Sequence, residues 1–217
     1  MMRRGDDVGV RQAMTKHYQH LETLGLNELA SGNVSCRVKE GMLISASGAT
    51  AQSITPANLV MMTLDGDVIG DGQPSSEWQM HASIYKRCEA GAVVHTHADH
   101  CVALSCQGRD LPGFHYLVGT FGGSNVPCVP YATFGTSLLG DYAADALQHR
   151  SACLLGSHGM ICRAEDLTTA VMLAHRLEIL CRQYLLACQF GEPYLLSDEE
   201  WRAFFLQMKT LNYGATV

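Results

Sequence analysis

No apolar run in this sequence approaches the roughly 18 residues that a bilayer-spanning helix needs, so no membrane span is expected. The opening "MMRRGDDVGV" carries charges with no apolar segment behind them, which argues against a secretory leader and for a cytoplasmic protein. A basic stripe is also missing. Fifteen Lys and Arg stand scattered against 21 Asp and Glu, for a net charge of −6, and neither nucleic acid nor an anionic membrane surface is the expected partner. No G-K-[ST] is present, which excludes a P-loop. Nor is there a C-x-x-C pair: the nine cysteines are odd in number and spread from Cys36 to Cys188, a pattern of free thiols in a reducing compartment. Internal repeats and low-complexity segments are absent, so nothing divides the chain.

What is present is a chain of 217 residues with 47% hydrophobic side chains, enough for one sizeable core and one domain over residues 1–217. Mixed three- and four-residue apolar spacing predicts a helix over about 8–24, stopped at Gly25. "SGNVSCRV", "GMLISASGAT" and "LVMMTLDGDVIG" read as short strands, the last with an Asp-Gly hairpin turn. "TPANL" reads as a helix start with Thr55 as cap. A helix over 77–88 capped by Ser75 or Ser76, a buried strand "AVVHTH" and a helix over 99–107 follow. After a Gly- and Pro-rich stretch, a helix over 136–148, the strand "ACLLGS", a turn at His158-Gly159, a long helix over about 165–189 and an acidic-capped helix from Ser197 complete the pattern. Strands interleaved with helices predict an α/β fold with helices covering a sheet.

"AVVHTHADH" concentrates three histidines after an apolar run. Strand residues two apart share a face, so His95 and His97 can converge on one ion while Thr96 turns away. The same pair also suits hydrogen-bonded or surface histidines. His158 in "SHGM", with a glycine behind it that permits close backbone approach, is the best third ligand. His100 competes from the following helix start, where a cap or core role fits it better. Glu77 at a helix head offers a carboxylate, though such acids also serve the helix dipole. Three imidazoles and one carboxylate suit zinc, or another divalent ion such as Mn²⁺ or Co²⁺, better than magnesium or calcium. "SGNVS", "SASG" and "PSSE" place small residues and hydroxyls at turns, each an ordinary turn on its own and together an anion cradle fit for a phosphate.

Taken in order, "SGNVS", "SASG", "PSSEWQMHASIY", "AVVHTHADHC", "HYLV", "VPYATFGT" and "SHGM" resemble the class II aldolase/adducin family over nearly the whole chain. The resemblance implies a three-layer αβα sandwich around a largely antiparallel, mixed sheet. It implies one zinc per subunit on Glu77, His95, His97 and His158, with His100 outside the shell. It matches Gly32, Asn33, Ser47, Gly48, Ser75 and Ser76 to a phosphate pocket. Phe134 and Tyr213 match an apolar wall against an aldehyde's methyl group, and Tyr116 a tyrosine that reaches into the neighbouring subunit's site in a homotetramer. The aldolases of the family carry hydroxyl residues where this chain has Ala30, and Thr where it has Ser47; the hydroxyl lost at position 30 weakens the expected grip on phosphate.

The implied reaction is reversible cleavage of a deoxyketose 1-phosphate to dihydroxyacetone phosphate and a small aldehyde such as lactaldehyde. Glu77 would move the proton at carbon, and Tyr116 the proton on the aldehyde oxygen. Short sugars such as 5-deoxyribulose or methylthioribulose 1-phosphate are alternative substrates. Epimerase or dehydratase chemistry on a sugar phosphate, and a non-catalytic adducin-like binding module, are alternative functions. A Schiff-base mechanism needs a desolvated lysine, and Lys16, Lys39, Lys86 and Lys209 all stand in polar surroundings.

Overall fold

The structure, a computed structural model, describes residues 4–211, with side chains from residue 8. Helix α1 (Arg4–Thr23) leads into strands β1 (Asn33–Val38), β2 (Gly41–Ile44), β3 (Val60–Met62) and β4 (Val68–Ile69). Helix α2 (Trp78–Arg87), strand β5 (Ala92–Thr96) and helix α3 (Asp99–Ser105) follow. A 3-10 helix (Tyr116–Phe121), β6 (Cys128–Val129), α4 (Ser137–Leu147), β7 (Ala152–Leu155), β8 (Gly159–Ala164), α5 (Leu167–Cys188) and α6 (Asp198–Thr210) close the chain. The strands form one sheet in the order β4-β3-β2-β1-β5-β8-β7-β6. All pairs are antiparallel except β6 with β7. The result is the expected mixed sheet between two helical layers, an open sheet and not a closed barrel.

Strand alternation sorts side chains into two cores. Val34, Ala92, Val94, Met160 and Cys162 face α1, α3, α5 and Trp201 of α6. Val93, Cys153, Leu155 and Ile161 face α2 and α4. All five residues of β5 are buried, which is why "AVVHT" reads as a continuous run with no polar face. Burying Val93 and Val94 contributes about 1.5–3 kcal/mol each, and secures the strand that carries the histidines. Among the described residues no helix is long and apolar enough to cross a membrane.

Three local expectations are corrected. "TPANL" is a turn and not a helix start, because the Asn58 side chain accepts the Thr55 N–H at 2.8 Å and draws the backbone out of the helical ladder. Glu77, not a serine, occupies the N-cap of α2, yet its carboxylate makes no cap bond; Ser75 Oγ accepts the Glu77 N–H at 3.3 Å. Finally, "GMICRA" is β8, a strand missing from the sequence reading. It pairs with β7 through a tight turn, with Leu155 opposite Gly159. A leading glycine and an interior arginine concealed it, although four of its first four residues are buried. The Asp65-Gly66 hairpin between β3 and β4 forms as expected, with Gly66 at φ 109°.

Candidate metal centre

Antiparallel pairing of β5 with β1 and β8 sets Asn33 opposite His95, and Thr96 opposite Met160. His95 is the penultimate residue of β5, and His97 follows one step beyond the strand. His158 sits in the β7–β8 turn beside Ser157, whose φ of 50° is unusual for a residue with a side chain. Glu77 enters from the head of α2. Three places in the fold, the end of β5, the β7–β8 turn and the head of α2, thus deliver four side chains to a single point at the C-terminal end of β5.

The spacing there is tight. His95 Nε2 lies 3.0 Å from His97 Nε2 and 3.0 Å from Glu77 Oε2, while His158 Nε2 lies 3.3 Å from Glu77 Oε1. The three rings stand edge to face, with centroids 4.8 to 4.9 Å apart. His95 Nδ1–H donates to the Met160 carbonyl at 2.8 Å, so in the neutral ring Nε2 presents a lone pair. Lone pairs and a carboxylate crowded to 3.0 Å repel unless a cation stands among them. A tetrahedral zinc with ligands at about 2.0–2.1 Å would separate its donors by about 3.3 Å, so the donor set fits. Glu77 Oε1 is buried with no hydrogen-bond partner, as an oxygen reserved for an ion or a proton would be.

Burial works against the Glu77 carboxylate, but the facing His95, then His158 and Asn33, hold it below the ordinary carboxylate range. The histidines shift downward too. Burial first, and then neighbouring imidazoles, hold His97 and His158 at about 4 and His81 at about 3. An unfolded histidine titrates near 6.5, so between roughly pH 6.5 and 3 the unfolded chain takes up protons that the metal-free fold refuses. Metal-free protein is therefore expected to lose thermal stability as pH falls through that window, and to level off on this account below it. Melting curves of chelated protein across the range check this; a midpoint that does not fall would contradict it.

Gly159 makes the close approach possible. A Cβ there would stand 2.5 Å from the Thr96 carbonyl oxygen and 3.2 Å from Cδ2 of His97. Gly159→Ala should cost about 1–3 kcal/mol of stability through overpacking and loosen metal retention, because the displaced backbone carries His97. Urea unfolding and metal titration of the variant measure both effects.

The other residues named from sequence fall in three groups. Ser47 N–H donates to the Gln73 carbonyl, Ser75 N–H to the Ser45 carbonyl, and Ala46 bridges Pro74, so the "SASG" and "PSSE" stretches lie side by side next to Glu77. Gly48 takes φ 69°. Gly32 N–H is already given to Asn27 Oδ1 at 2.8 Å, and a Cβ at Gly32 would stand 2.8 Å from the His95 carbonyl oxygen. Ser76, His97, His158, Glu77 and Phe134 line a cavity of about 330 Å³, together with Tyr131, Ser31 and Ser157, which the sequence reading did not name. Tyr116 does not line it. Its ring is half exposed, stacked on His115 and set against Phe204, beside an apolar groove that Leu117, Met208 and Leu211 share. Tyr213 lies outside the described residues. His100 stands apart from the cluster. Its Nδ1 and N–H both meet the Glu178 carboxylate, which also accepts the Cys101 N–H and so caps the start of α3.

Behind Glu77 is a connection that sequence reasoning missed: Asn33, named there only for the phosphate, joins His81, Ser35 and Tyr85, all buried and hydrogen-bonded in series. The available signal was spacing, since Glu77, His81 and Tyr85 recur every four residues on one helical face.

Residues 12–185 match the model of the Class II Aldolase and Adducin N-terminal domain. A 5-methylthioribulose-1-phosphate/5-deoxyribulose-1-phosphate aldolase of Rhodospirillum rubrum is 39% identical over 211 residues, which are 97% of this chain and 95% of the relative. An L-fuculose phosphate aldolase of Escherichia coli is 41% identical over 196 residues, 89% of this chain and 90% of that one. A solved L-fuculose 1-phosphate aldolase superposes with a TM-score of 0.88 at 34% identity, covering 93% of this chain and 96% of its own. Sequence and fold agree that this chain belongs to the class II aldolase/adducin family, and its named relatives are aldolases, that is, lyases.

Proposed function

We propose that this protein is a cytoplasmic, zinc-dependent aldolase that reversibly cleaves a deoxyketose 1-phosphate of the L-fuculose type to dihydroxyacetone phosphate and a small aldehyde such as lactaldehyde. One observation carries the reading: a buried carboxylate shares its position with three imidazole nitrogens, and one of its oxygens is without a hydrogen bond. His95, His97, His158 and Glu77 would hold the ion. Zinc bound there would supply Lewis acidity that offsets negative charge developing on a substrate oxygen. Glu77 takes the proton at carbon through Oε1 and returns it. Ser47, Gly48, Ser75 and Ser76 receive the phosphate beside it, and Gly32 and Asn33 shape the pocket's edge, since the Gly32 N–H is already given to Asn27 Oδ1. Phe134, with Tyr213, gives the aldehyde end an apolar wall.

Tyr116 completes the site from an adjacent subunit of a homotetramer. Its exposed phenol and its absence from the cavity of its own chain support an assignment in trans. Mixing inactive Glu77→Gln protein with inactive Tyr116→Phe protein is expected to restore part of the activity, because some sites then combine an intact Glu77 with an intact Tyr116. An active monomer on sedimentation would overturn the shared site.

The Rhodospirillum relative favours a second substrate range, the 1-phosphates of 5-deoxyribulose and methylthioribulose. Release of dihydroxyacetone phosphate from a panel of these ketose 1-phosphates by zinc-loaded protein ranks them. Release from none of them would sink the aldolase reading and turn attention to epimerase or dehydratase chemistry.

A further inference from the structure

Glu77, His81 and Tyr85 stand at i, i+4 and i+8 along α2, and the strand beneath supplies Asn33 and Ser35, which point the same way because they are two apart on β1. The contacts interleave. Asn33 Nδ2 donates to Glu77 Oε2 at 3.0 Å, and Asn33 Oδ1 meets His81 Nε2 at 2.6 Å. His81 Nδ1 meets Ser35 Oγ at 2.7 Å, and Ser35 Oγ meets the Tyr85 hydroxyl at 2.9 Å. His81 and Ser35 are fully buried, and Asn33 is 5% exposed.

Only one set of directions satisfies every member. The ionised Glu77 accepts, so the Asn33 amide must turn its NH₂ toward it and its oxygen away. That oxygen needs a donor, so His81 carries its proton on Nε2. His81 Nδ1 then accepts from the Ser35 hydroxyl, which in turn accepts from Tyr85. The direction is anchored at the carboxylate and runs unbroken for four bonds.

We propose that Tyr85, Ser35, His81 and Asn33 form an orienting chain for Glu77, in which the chain pins Oε2 as a standing hydrogen-bond acceptor and leaves Oε1 as the oxygen that takes and returns the proton. His81 is the positioning residue, because its Nε2–H holds the far oxygen of the Asn33 amide and so braces the orientation that the carboxylate selects. An Asn33 amide rotated by half a turn would set its carbonyl against the carboxylate, repel it, and free Oε2 to compete for the proton. The inference rests on Glu77 being the proton-transfer group.

The test uses full-length, metal-loaded protein. His81→Phe keeps the ring and removes both nitrogens, and it should lower kcat on the order of 10- to 100-fold, the usual effect of a partner behind a ligand, with KM and metal content unchanged. His81→Gln, which can offer an amide N–H to Asn33, should recover much of that loss. In an Asn33→Ala background His81→Phe should cost nothing further, because the amide it orients is gone. Nitrogen NMR of ¹⁵N-labelled wild-type protein should show His81 neutral and protonated on Nε2, a readout independent of activity and of whether His81→Phe folds. His81 protonated on Nδ1, full kcat in His81→Phe, or equal losses in the presence and absence of Asn33 would each overturn the orienting chain. Glu77→Gln distinguishes the two levels: if it stays active, the proposed function fails, whereas an inert Glu77→Gln beside a fully active His81→Phe removes only the chain.

Discussion

Glu77→Gln should abolish both ketose cleavage and solvent exchange of the carbon-bound proton of dihydroxyacetone phosphate, whereas Tyr116→Phe should lose cleavage and keep exchange. The two residues serve different protons in the proposed reaction. Glutamine preserves shape and an oxygen, and its NH₂ can still meet polar neighbours, but it cannot accept the proton at carbon. Every step that makes or consumes the carbanion therefore stops. Tyr116 does not line the cavity of its own chain and would serve only the oxygen that becomes the aldehyde. Its loss should slow cleavage by a factor on the order of 10² to 10⁴, the usual contribution of a positioned acid or base. Exchange needs no aldehyde, so it should continue at a near-normal rate. Cleavage at the wild-type rate by Tyr116→Phe would remove its role; exchange by Glu77→Gln would move the proton transfer to another residue.

The second large effect concerns the ion. His95→Ala and His158→Ala should each lose stoichiometric metal and nearly all activity, while His100→Ala should retain metal. Nε2 of His95 faces both His97 and Glu77 at 3.0 Å, and its opposite nitrogen is tied to the Met160 carbonyl, so no other side chain can replace it. His158 Nε2 lies 3.3 Å from Glu77 Oε1. His100 is engaged with Glu178 at the head of α3, and its removal should cost some stability without touching the donor set. Metal analysis after exhaustive dialysis decides the matter. Stoichiometric metal in His95→Ala with loss in His100→Ala would reverse the ligand assignment.

The sequence carried most of this site because its parts are local. The H-x-H spacing survives folding as two neighbours at one strand end, and the serines before Glu77 mark the head of a helix. What stayed hidden depended on pairing. β8 was concealed because a glycine and an arginine interrupt its apolar run, although its register against β5 is what brings the Met160 carbonyl to His95 Nδ1. "TPANL" carried a genuine helix-start signal that one asparagine side chain overrode. The polar series behind Glu77 needs α2 laid on β1, and no spacing along the chain states that two elements cross there. Asn33 shows the same limit. The family likeness assigns it to the phosphate, while the structure shows its side chain already committed to Glu77 and His81.

Deuterium uptake tests the central claim most directly, because it needs no knowledge of the physiological aldehyde. Dihydroxyacetone phosphate incubated in D₂O with zinc-loaded wild-type protein should acquire deuterium at the hydroxymethyl carbon, stereospecifically. Uptake should stop on chelation and return when zinc is restored. Uptake that persists undiminished in protein shown to be metal-free, or no uptake at any metal loading, would contradict a metal-dependent aldolase built on Glu77 and the three histidines.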